Sequence, residues 1–431
     1  MLKYSIRSGV ARVVALLAGA CGLGIAPAYA QSAPTLSVQA QAGQKLFSDV
    51  NLSASKQMSC ASCHDPNNHY AQSVGNTRAV QLGGSALTTP GFRAVPTLTY
   101  KQFTPTYSDD AVNPTGLSPN GPGGGFTWDG RANTLAEQVS IPLLSSFEMA
   151  NTNPATVVTV VQSASYAALF QQAFGANVFN DSATAFTDIG LALQQYQLED
   201  PSFHPYTSKY DYASQGASSN GQPVFLTNAE ERGFNVALEP GVGNCLTCHA
   251  AGDATNTPDG QPLFTDFRLR SLGVPRNNNI PANVTRPEMP VTYYDLGLCT
   301  AQNPTAPHQL PASQQYCGLF KTPTLRNTAS RQVFFHNGVY STLADVINFY
   351  NTRDTNPAAI YPTANGVVKK FNDLPAAYQA NLDIDVPFDG LPVGGTPHMT
   401  AQDTADLQCF LEALTDGYVQ GVTPQDPNCV N

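Results

Sequence analysis

Two five-residue boxes constrain this chain more tightly than anything else in it: Cys60-Ala61-Ser62-Cys63-His64 and Cys245-Leu246-Thr247-Cys248-His249. In each, two thiols lie one helical turn apart and a histidine follows directly. That spacing suits covalent heme attachment, in which the thiols add to two vinyl groups and the adjacent imidazole reaches the iron as proximal ligand. A zinc site would gather four cysteines, or Cys/His pairs, around one ion, whereas here every pair brings its own histidine. Two covalently bound heme c groups are therefore expected, one on Cys60, Cys63 and His64 and one on Cys245, Cys248 and His249. Each supplies a large apolar surface, which lets a chain with 34 Gly and 33 Pro among 431 residues still build cores.

The first 30 residues read as a secretory signal peptide. Lys3, Arg7 and Arg12 precede an apolar stretch from Val13 to Ile25, and Ala28-Tyr29-Ala30 forms a small-residue cleavage site. A membrane anchor would need about 20 apolar residues, and this stretch is shorter and interrupted by Gly19, Gly22 and Gly24, so no membrane span is expected in the mature protein. A lipoprotein site at Cys21 fits less well, because the third residue before it is Ala18 rather than Leu. Export to the periplasm suits the remaining cysteines. Cys299, Cys317, Cys409 and Cys429 lie outside the boxes, and two disulfides between near neighbours would use them all, although spacing leaves the connectivity open. With 21 basic and 31 acidic residues, a net charge of −10 and no Lys/Arg run, nucleic acid is not an expected partner. A cationic protein is.

Similar helical text precedes both boxes, Gly43-Gln44-Lys45-Leu46-Phe47 and Gly233-Phe234-Asn235-Val236-Ala237, a weak internal repeat; Asn228 and Glu231 have capping-box spacing before the second. The polar stretch Ala213 to Gln222, after a helical Thr187 to Gln197 segment, divides the mature chain into residues 31–217 and 218–431. Thr104 to Gly125 and Ala251 to Tyr316 read as long loops. Thr400 and Asp403 cap a terminal helix with Leu407, Phe410, Leu411 and Leu414 on one stripe. Another helix starts near Thr342 and Asp345 and puts Leu343, Val346, Ile347 and Tyr350 on one face. No sustained period-two alternation appears, so the expected class is mainly α.

Two further blocks carry a resemblance. Phe126-Thr127-Trp128-Asp129-Gly130-Arg131-Ala132 is followed by Leu135, Glu137-Gln138, Pro142 and Phe147-Glu148-Met149. Phe320-Lys321-Thr322-Pro323-Thr324-Leu325-Arg326-Asn327 is followed by Phe335-His336-Asn337-Gly338 and Thr342-Leu343. Together with the ordered boxes, these resemble the bacterial diheme cytochrome c peroxidases and the related MauG-type enzymes over nearly the whole mature chain. The resemblance implies two cytochrome-c-like domains with long loops, one heme each, the N-terminal heme peroxidatic and the C-terminal one for electron transfer.

It also implies roles. Glu148 matches the distal acid/base at the N-terminal heme, where a carboxyl group can take a proton from peroxide and return it to the departing oxygen. Gln138 matches a pocket residue that hydrogen-bonds the bound oxygen, and Trp128, the chain's single Trp, matches a tryptophan between the hemes. By themselves these three read as a surface acid, a helix-surface amide and a core indole. His336 is assigned structural hydrogen bonding near the C-terminal heme. Tyr350 stands fourteen residues after His336, where the peroxidases place a Met sixth ligand and MauG-type enzymes a Tyr. A phenolate there favours ferric iron over ferrous and lowers the potential; Met289 and Met399 are rival ligands off the matching position. The positions at which the peroxidases hold calcium carry Ala94 and Arg331-Gln332-Val333, so calcium is not expected to bind as it does there. No match to a blocking loop histidine appears, and His69 lies too close to His64 to reach the other heme face, so the N-terminal heme should be open.

The leading reading is a periplasmic peroxidase reducing hydrogen peroxide to water with electrons from a small cytochrome c or copper protein. A MauG-type oxidase that modifies a protein substrate through high-valent diheme iron shares every motif. A non-catalytic diheme carrier or sensor is the third reading and has no use for Glu148 or Trp128.

Overall fold

Helices in this chain begin where a short polar side chain can satisfy the free amides of a first turn. Ser37 accepts the Ala40 N–H and opens α1 (Val38–Ser48). The first box lies in α2 (Cys60–Cys63). Thr134 accepts the Glu137 N–H at 3.1 Å to start α3 (Leu135–Leu144). Asn153 and then Pro154 begin α4 (Pro154–Gln162), Pro serving where its missing N–H costs nothing. The short α5 (Ala167–Phe174) leads to α6 (Ser182–Glu199), capped by Asp181, and to α7 (Lys209–Ser214). Past that come α8 (Asn228–Leu238), α9 (Leu343–Thr352), α10 (Pro357–Ile360) and α11 (Ala401–Glu412).

This computed structural model describes residues 35–112, 116, 119–251, 260–284, 293–299 and 314–430. The expected leader at 1–30 and Met289 lie outside them. Among the described residues, strands are two to four residues long and pair only as two-stranded antiparallel ribbons, so the chain is mainly helical as expected. No described helix is long and apolar enough to cross a membrane.

Residues Leu36–Asn431 form one unit that holds two large apolar clusters. The first gathers Leu46, Phe47, Leu143, Phe170, Ile189 and Phe203 around the contact of α1 with α6. The second gathers Val236, Phe264, Ile347, Phe410 and Leu414 around the contact of α8 with α11. Each fully buried Leu, Ile or Phe contributes about 1.5–3 kcal/mol.

The internal repeat has a packing cause. A Cβ on Gly43 would stand 2.0 Å from the Ala192 carbonyl oxygen of α6, and one on Gly233 would stand 1.9 Å from the Asp406 carbonyl oxygen of α11. Both box-bearing halves use a glycine to let their first and last helices touch backbone to backbone. Helix propensity alone would make Gly233→Ala stabilising by about 1 kcal/mol. Overpacking should reverse the sign, and Gly43→Ala and Gly233→Ala are each expected to lower stability by roughly 1–3 kcal/mol or more. Urea unfolding of the holoprotein reads this directly, and unchanged midpoints would mean that the helices part at little cost.

Buried polar groups tie the two halves together. Arg326 donates to both carboxylate oxygens of Asp211, at 2.8 and 2.9 Å, with neither side chain exposed. Its guanidinium lies over the Tyr100 and Tyr206 rings. Tyr100 in turn donates to Asp416 at 2.6 Å, and so does Asn327 at 2.8 Å. Leaving one partner of such a pair alone costs about 3–5 kcal/mol, because the survivor is a buried charge.

Several local expectations hold. Thr342 with Asp345 and Thr400 with Asp403 cap their helices, and the remaining cysteines pair as near neighbours, Cys299 with Cys317 and Cys409 with Cys429. Others need correction. The capping box before the second box is Thr227 with Glu230, one residue earlier than Asn228 with Glu231. Lys209 decides it by binding Glu230 at 2.8 Å and drawing that acid, rather than its neighbour, inward. The stretch Ala213 to Gln222 contains the end of α7 and a hairpin of Ser218–Ser219 with Gln222–Pro223, anchored where Ser219 donates to the Tyr418 carbonyl at 3.3 Å. Thr104 to Gly125 likewise holds a ribbon, Ser108–Ala111 with Gly121–Gly123.

Candidate active site

Each box curls its histidine back over its first cysteine. The His64 N–H donates to the Cys60 carbonyl at 2.9 Å and the His249 N–H to the Cys245 carbonyl at 2.8 Å. Ser62 Oγ accepts the Ser59 N–H in the first box, and Thr247 donates to the Asn244 side chain in the second. The imidazoles are then oriented alike. His64 Nδ1 lies 3.2 Å from the Tyr70 carbonyl and His249 Nδ1 3.0 Å from the Phe264 carbonyl, which leaves Nε2 of each as the iron-facing donor. Burial pushes His64 down to about 4 and lowers His249 as well, so both rings are neutral.

The box cysteines are the free cysteines among the described residues. Burial pushes Cys60, Cys245 and Cys248 up to about 12 and Cys63 up to about 11. Neutral thiols of this kind are poor redox centres and poor zinc ligands. The residues fit two covalently held hemes.

One cavity of about 970 Å³ reaches both boxes. Ligand pockets commonly hold about 300–1,000 Å³, so this is a large one. Glu148, Gln138, Trp128 and Tyr350 all line it, and so does His336, whereas His69 does not.

Glu148 follows α3 in a turn held by its N–H to the Ser145 carbonyl at 3.0 Å and by the Gly84 N–H to its own carbonyl at 2.8 Å. Gly83 makes the passage possible, since a Cβ there would come 2.4 Å from the Phe147 carbonyl oxygen. The carboxyl is thereby pressed into the cavity wall. Its Oε2 is shut off from solvent without a partner, and burial pushes the group up to about 7, against the opposing pull of the Ser145 hydroxyl and of Arg131 and Arg93. Gln138 projects from α3 into the same space.

Trp128 joins the halves. Its indole N–H donates to the Ala94 carbonyl at 2.8 Å, and its own carbonyl accepts the Lys321 N–H at 2.7 Å. The neighbouring Asp129, fully buried between Arg93 and Arg131, is held well below the usual carboxylate range and fixes the turn. His336 differs from its expected role. Its ring stacks on Phe320 at 3.5 Å and 7°, and it is the backbone carbonyl that accepts a hydrogen bond, from Ala94 at 2.7 Å.

On α9, Leu343, Val346, Ile347 and Tyr350 line the cavity together, as the stripe requires, while Phe349 turns to a separate aromatic cluster. Tyr350 stacks on Phe388 at 5.1 Å, and burial, reinforced by Cys248 and Cys245, raises its phenol far above its ordinary range. The phenol therefore faces the second box. Met399 also borders the cavity but packs in the apolar cluster with Ile347 and Leu407.

The residues at the calcium positions do not fit that ion. The Ala94 side chain offers no oxygen, its carbonyl is taken by the Trp128 indole, and Arg331, a cation, donates to the Val95 carbonyl at 2.7 Å. Lys101, Lys321 and Arg331 in the cavity wall had no role in the sequence reading. Single basic residues far apart in the chain carry no spacing signal.

Residues 37–219 match the family described as di-haem cytochrome c peroxidase, CCP_MauG. The methylamine utilization protein MauG of Paracoccus denitrificans is 32% identical over 328 residues, covering 74% of this chain and 76% of that protein. The cytochrome-c peroxidase IdrP2 of Pseudomonas sp. strain SCT is 23% identical over 329 residues, covering 74% and 75%. The crystal structure of the diheme peroxidase BthA from Burkholderia thailandensis E264 superposes with a TM-score of 0.75 at 34% identity, covering 90% of this chain and 89% of that one.

Proposed function

The chain belongs to the di-haem cytochrome c peroxidase family, and from that premise we propose that it reduces hydrogen peroxide to water at the first box with electrons from a small redox protein. The supporting observation is Glu148, a buried carboxyl with an unpartnered Oε2, poised near neutrality in the cavity that reaches Cys60, Cys63 and His64. When bound, the hemes supply the iron that accepts peroxide and the store of electrons that reduces it. Glu148 takes the proton of the incoming peroxide and returns one to the departing oxygen. Gln138 would orient the peroxide, Trp128 would carry electrons between the halves, and Tyr350 would help to hold the second heme. A pure electron carrier would leave Glu148 a buried polar cost without return.

We read residues 31–217 and 218–431 as the two heme domains, residues 1–30 as the leader, and the periplasm as the compartment. Tyr350 favours a second reading, a MauG-type oxidase acting on a protein substrate, because a phenolate makes the second heme a better store of oxidising equivalents than of electrons.

Mass spectrometry of the mature protein should show two covalent hemes and loss of residues 1–30. Steady turnover of peroxide with reduced cytochrome c is then expected. Absence of turnover, with oxidation of a co-purified protein instead, would move the protein to the second reading.

A further inference from the structure

We propose that Lys101, Lys321 and Arg331 form the seat for the carboxylate side chains of the heme held by the first box. Most cations in the cavity wall are paired. Arg93 is paired with Asp129 and Asp295, Arg131 with Asp129, Arg270 with Asp266 and Asp383, and Arg326 with Asp211. Lys101, Lys321 and Arg331 line the same cavity and form no ion pair among the described residues, Lys321 feeling Asp129 only at longer range.

What they have instead is insufficient. Lys321, 9% exposed, donates to the Gly125 carbonyl and lies over the Phe126 ring. Arg331 reaches the Val95 and Val333 carbonyls. Neutral acceptors do not compensate a buried cation, whose desolvation is repaid only by an opposite charge with good geometry. Burial pushes Lys101 down to about 8 and Arg331 down to about 10, and drives Lys321 far below its ordinary range.

The three form one cluster. Arg331 donates to the Val95 carbonyl, and the Lys321 N–H bonds Trp128, whose indole holds the carbonyl of the neighbouring Ala94, so both sit about one segment. Lys101 feels the charge of Arg331, and Lys321 feels Lys101 and, in the opposite sense, Asp129. Lys101 and Arg331 both act on His64, which places the cluster at the first box rather than the second. Burial strips these groups of charge unless an anion occupies the space they face, and an anion there would restore it. The occupant of that space is a heme, and its two propionates are the anions it brings.

The seat has a consequence for electron entry. Lys321 gives its backbone N–H to the Trp128 carbonyl, so the cluster that fixes the heme's carboxylate edge also fixes the indole turn. A heme seated there would present its carboxylate edge to the segment that carries Trp128.

The inference rests on heme loading at the first box and not on peroxide chemistry. Its test is the midpoint potential of each heme in holoprotein whose heme content has first been verified. A cation beside the propionates favours the electron-rich ferrous state. Lys101→Gln and Arg331→Gln should each shift the first heme toward ferric by roughly tenfold, about 59 mV for one electron, and leave the second heme in place. Lys101→Arg should restore the original potential, which separates charge from packing. Unchanged potentials in loaded Lys101→Gln and Arg331→Gln, or equal movement of both hemes, would overturn the assignment. So would a parent potential that follows acetate or phosphate concentration at fixed ionic strength, since a free anion would then occupy the seat. Failure of the peroxide reading would show in turnover and leave these potentials untouched.

Discussion

Glu148→Gln is expected to bind both hemes and to lose about 10²–10⁴-fold in its rate of reaction with hydrogen peroxide, the usual contribution of a positioned acid–base group. Glutamine keeps the shape of the side chain and its grip on the Ser145 to Glu148 turn, which is made by backbone groups. Only the exchangeable carboxyl proton is removed. Because burial pushes Glu148 up to about 7, its ionised, proton-accepting fraction rises with pH through neutrality. The parent rate should climb across the same range, with its midpoint near pH 7, and the variant should be flat.

Stability supplies a control of opposite sign. A carboxyl whose folded value lies above its unfolded one binds its proton more tightly in the fold, so its ionisation destabilises the protein as pH rises from the unfolded value through about 7. At pH 8 Glu148→Gln should therefore be at least as stable as the parent. Stopped-flow traces of the Soret band across pH, beside urea midpoints, read both. A variant that reacts as fast as the parent would remove Glu148 from the chemistry, and one that is slow and unstable would make its role structural.

The legible parts of this chain were those with a local signal. The boxes declare themselves by spacing, and the Thr342 and Thr400 caps by a polar residue three before an acid. The α9 stripe was legible because helical periodicity fixes which side chains share a face, and it faces the cavity as one set. Where two local answers were equally good, tertiary contacts chose. Thr227 and Asn228 both could cap α8, and Lys209, from another helix, selected the first by binding Glu230. The hairpin at 218–223 was missed although Asn220-Gly221 is a strong turn signal, with both residues at positive φ, because the surrounding Ser and Gly read as linker.

Function was less legible than fold for a physical reason. Glu148 is chemically useful through burial, and its burial depends on Gly83 passing closely by, a contact across more than sixty positions. Nothing in its own neighbourhood distinguishes it from a surface acid, so its role entered through resemblance to a block. Lys321 stands in such a block and Arg331 at a calcium position, yet neither these nor Lys101 received a role in heme binding, since their meaning lies in what they do not pair with.

Tyr350→Met is expected to raise the potential of the second heme by roughly 0.3 V, within the span of about 0.8 V that axial ligands command. At 59 mV per tenfold for one electron, that is about 10⁵ in the ferric–ferrous equilibrium. The cause is ligand hardness. A phenolate is a charged oxygen donor that stabilises ferric iron, whereas a thioether is soft and neutral and favours ferrous iron. The site adds a second contribution, because burial holds the Tyr350 phenol protonated unless a strong cation takes the proton's place. Binding to the iron must therefore release a proton that methionine does not carry. The parent potential should fall with rising pH where that proton is exchanged, and the variant should lose this dependence. Spectroelectrochemical titration of both hemes checks the effect, with the first heme serving as internal reference. The functional consequence is a change of role: with methionine the second heme holds an electron under mild conditions, as a donor to the first, and with tyrosine it yields one more readily. If the potential does not move in Tyr350→Met but does in Met399→Leu, the ligand is Met399, which borders the same cavity and bonds through its backbone to Asn351, the next residue along α9. The reading of the second heme as a store of oxidising equivalents would then fall with Tyr350.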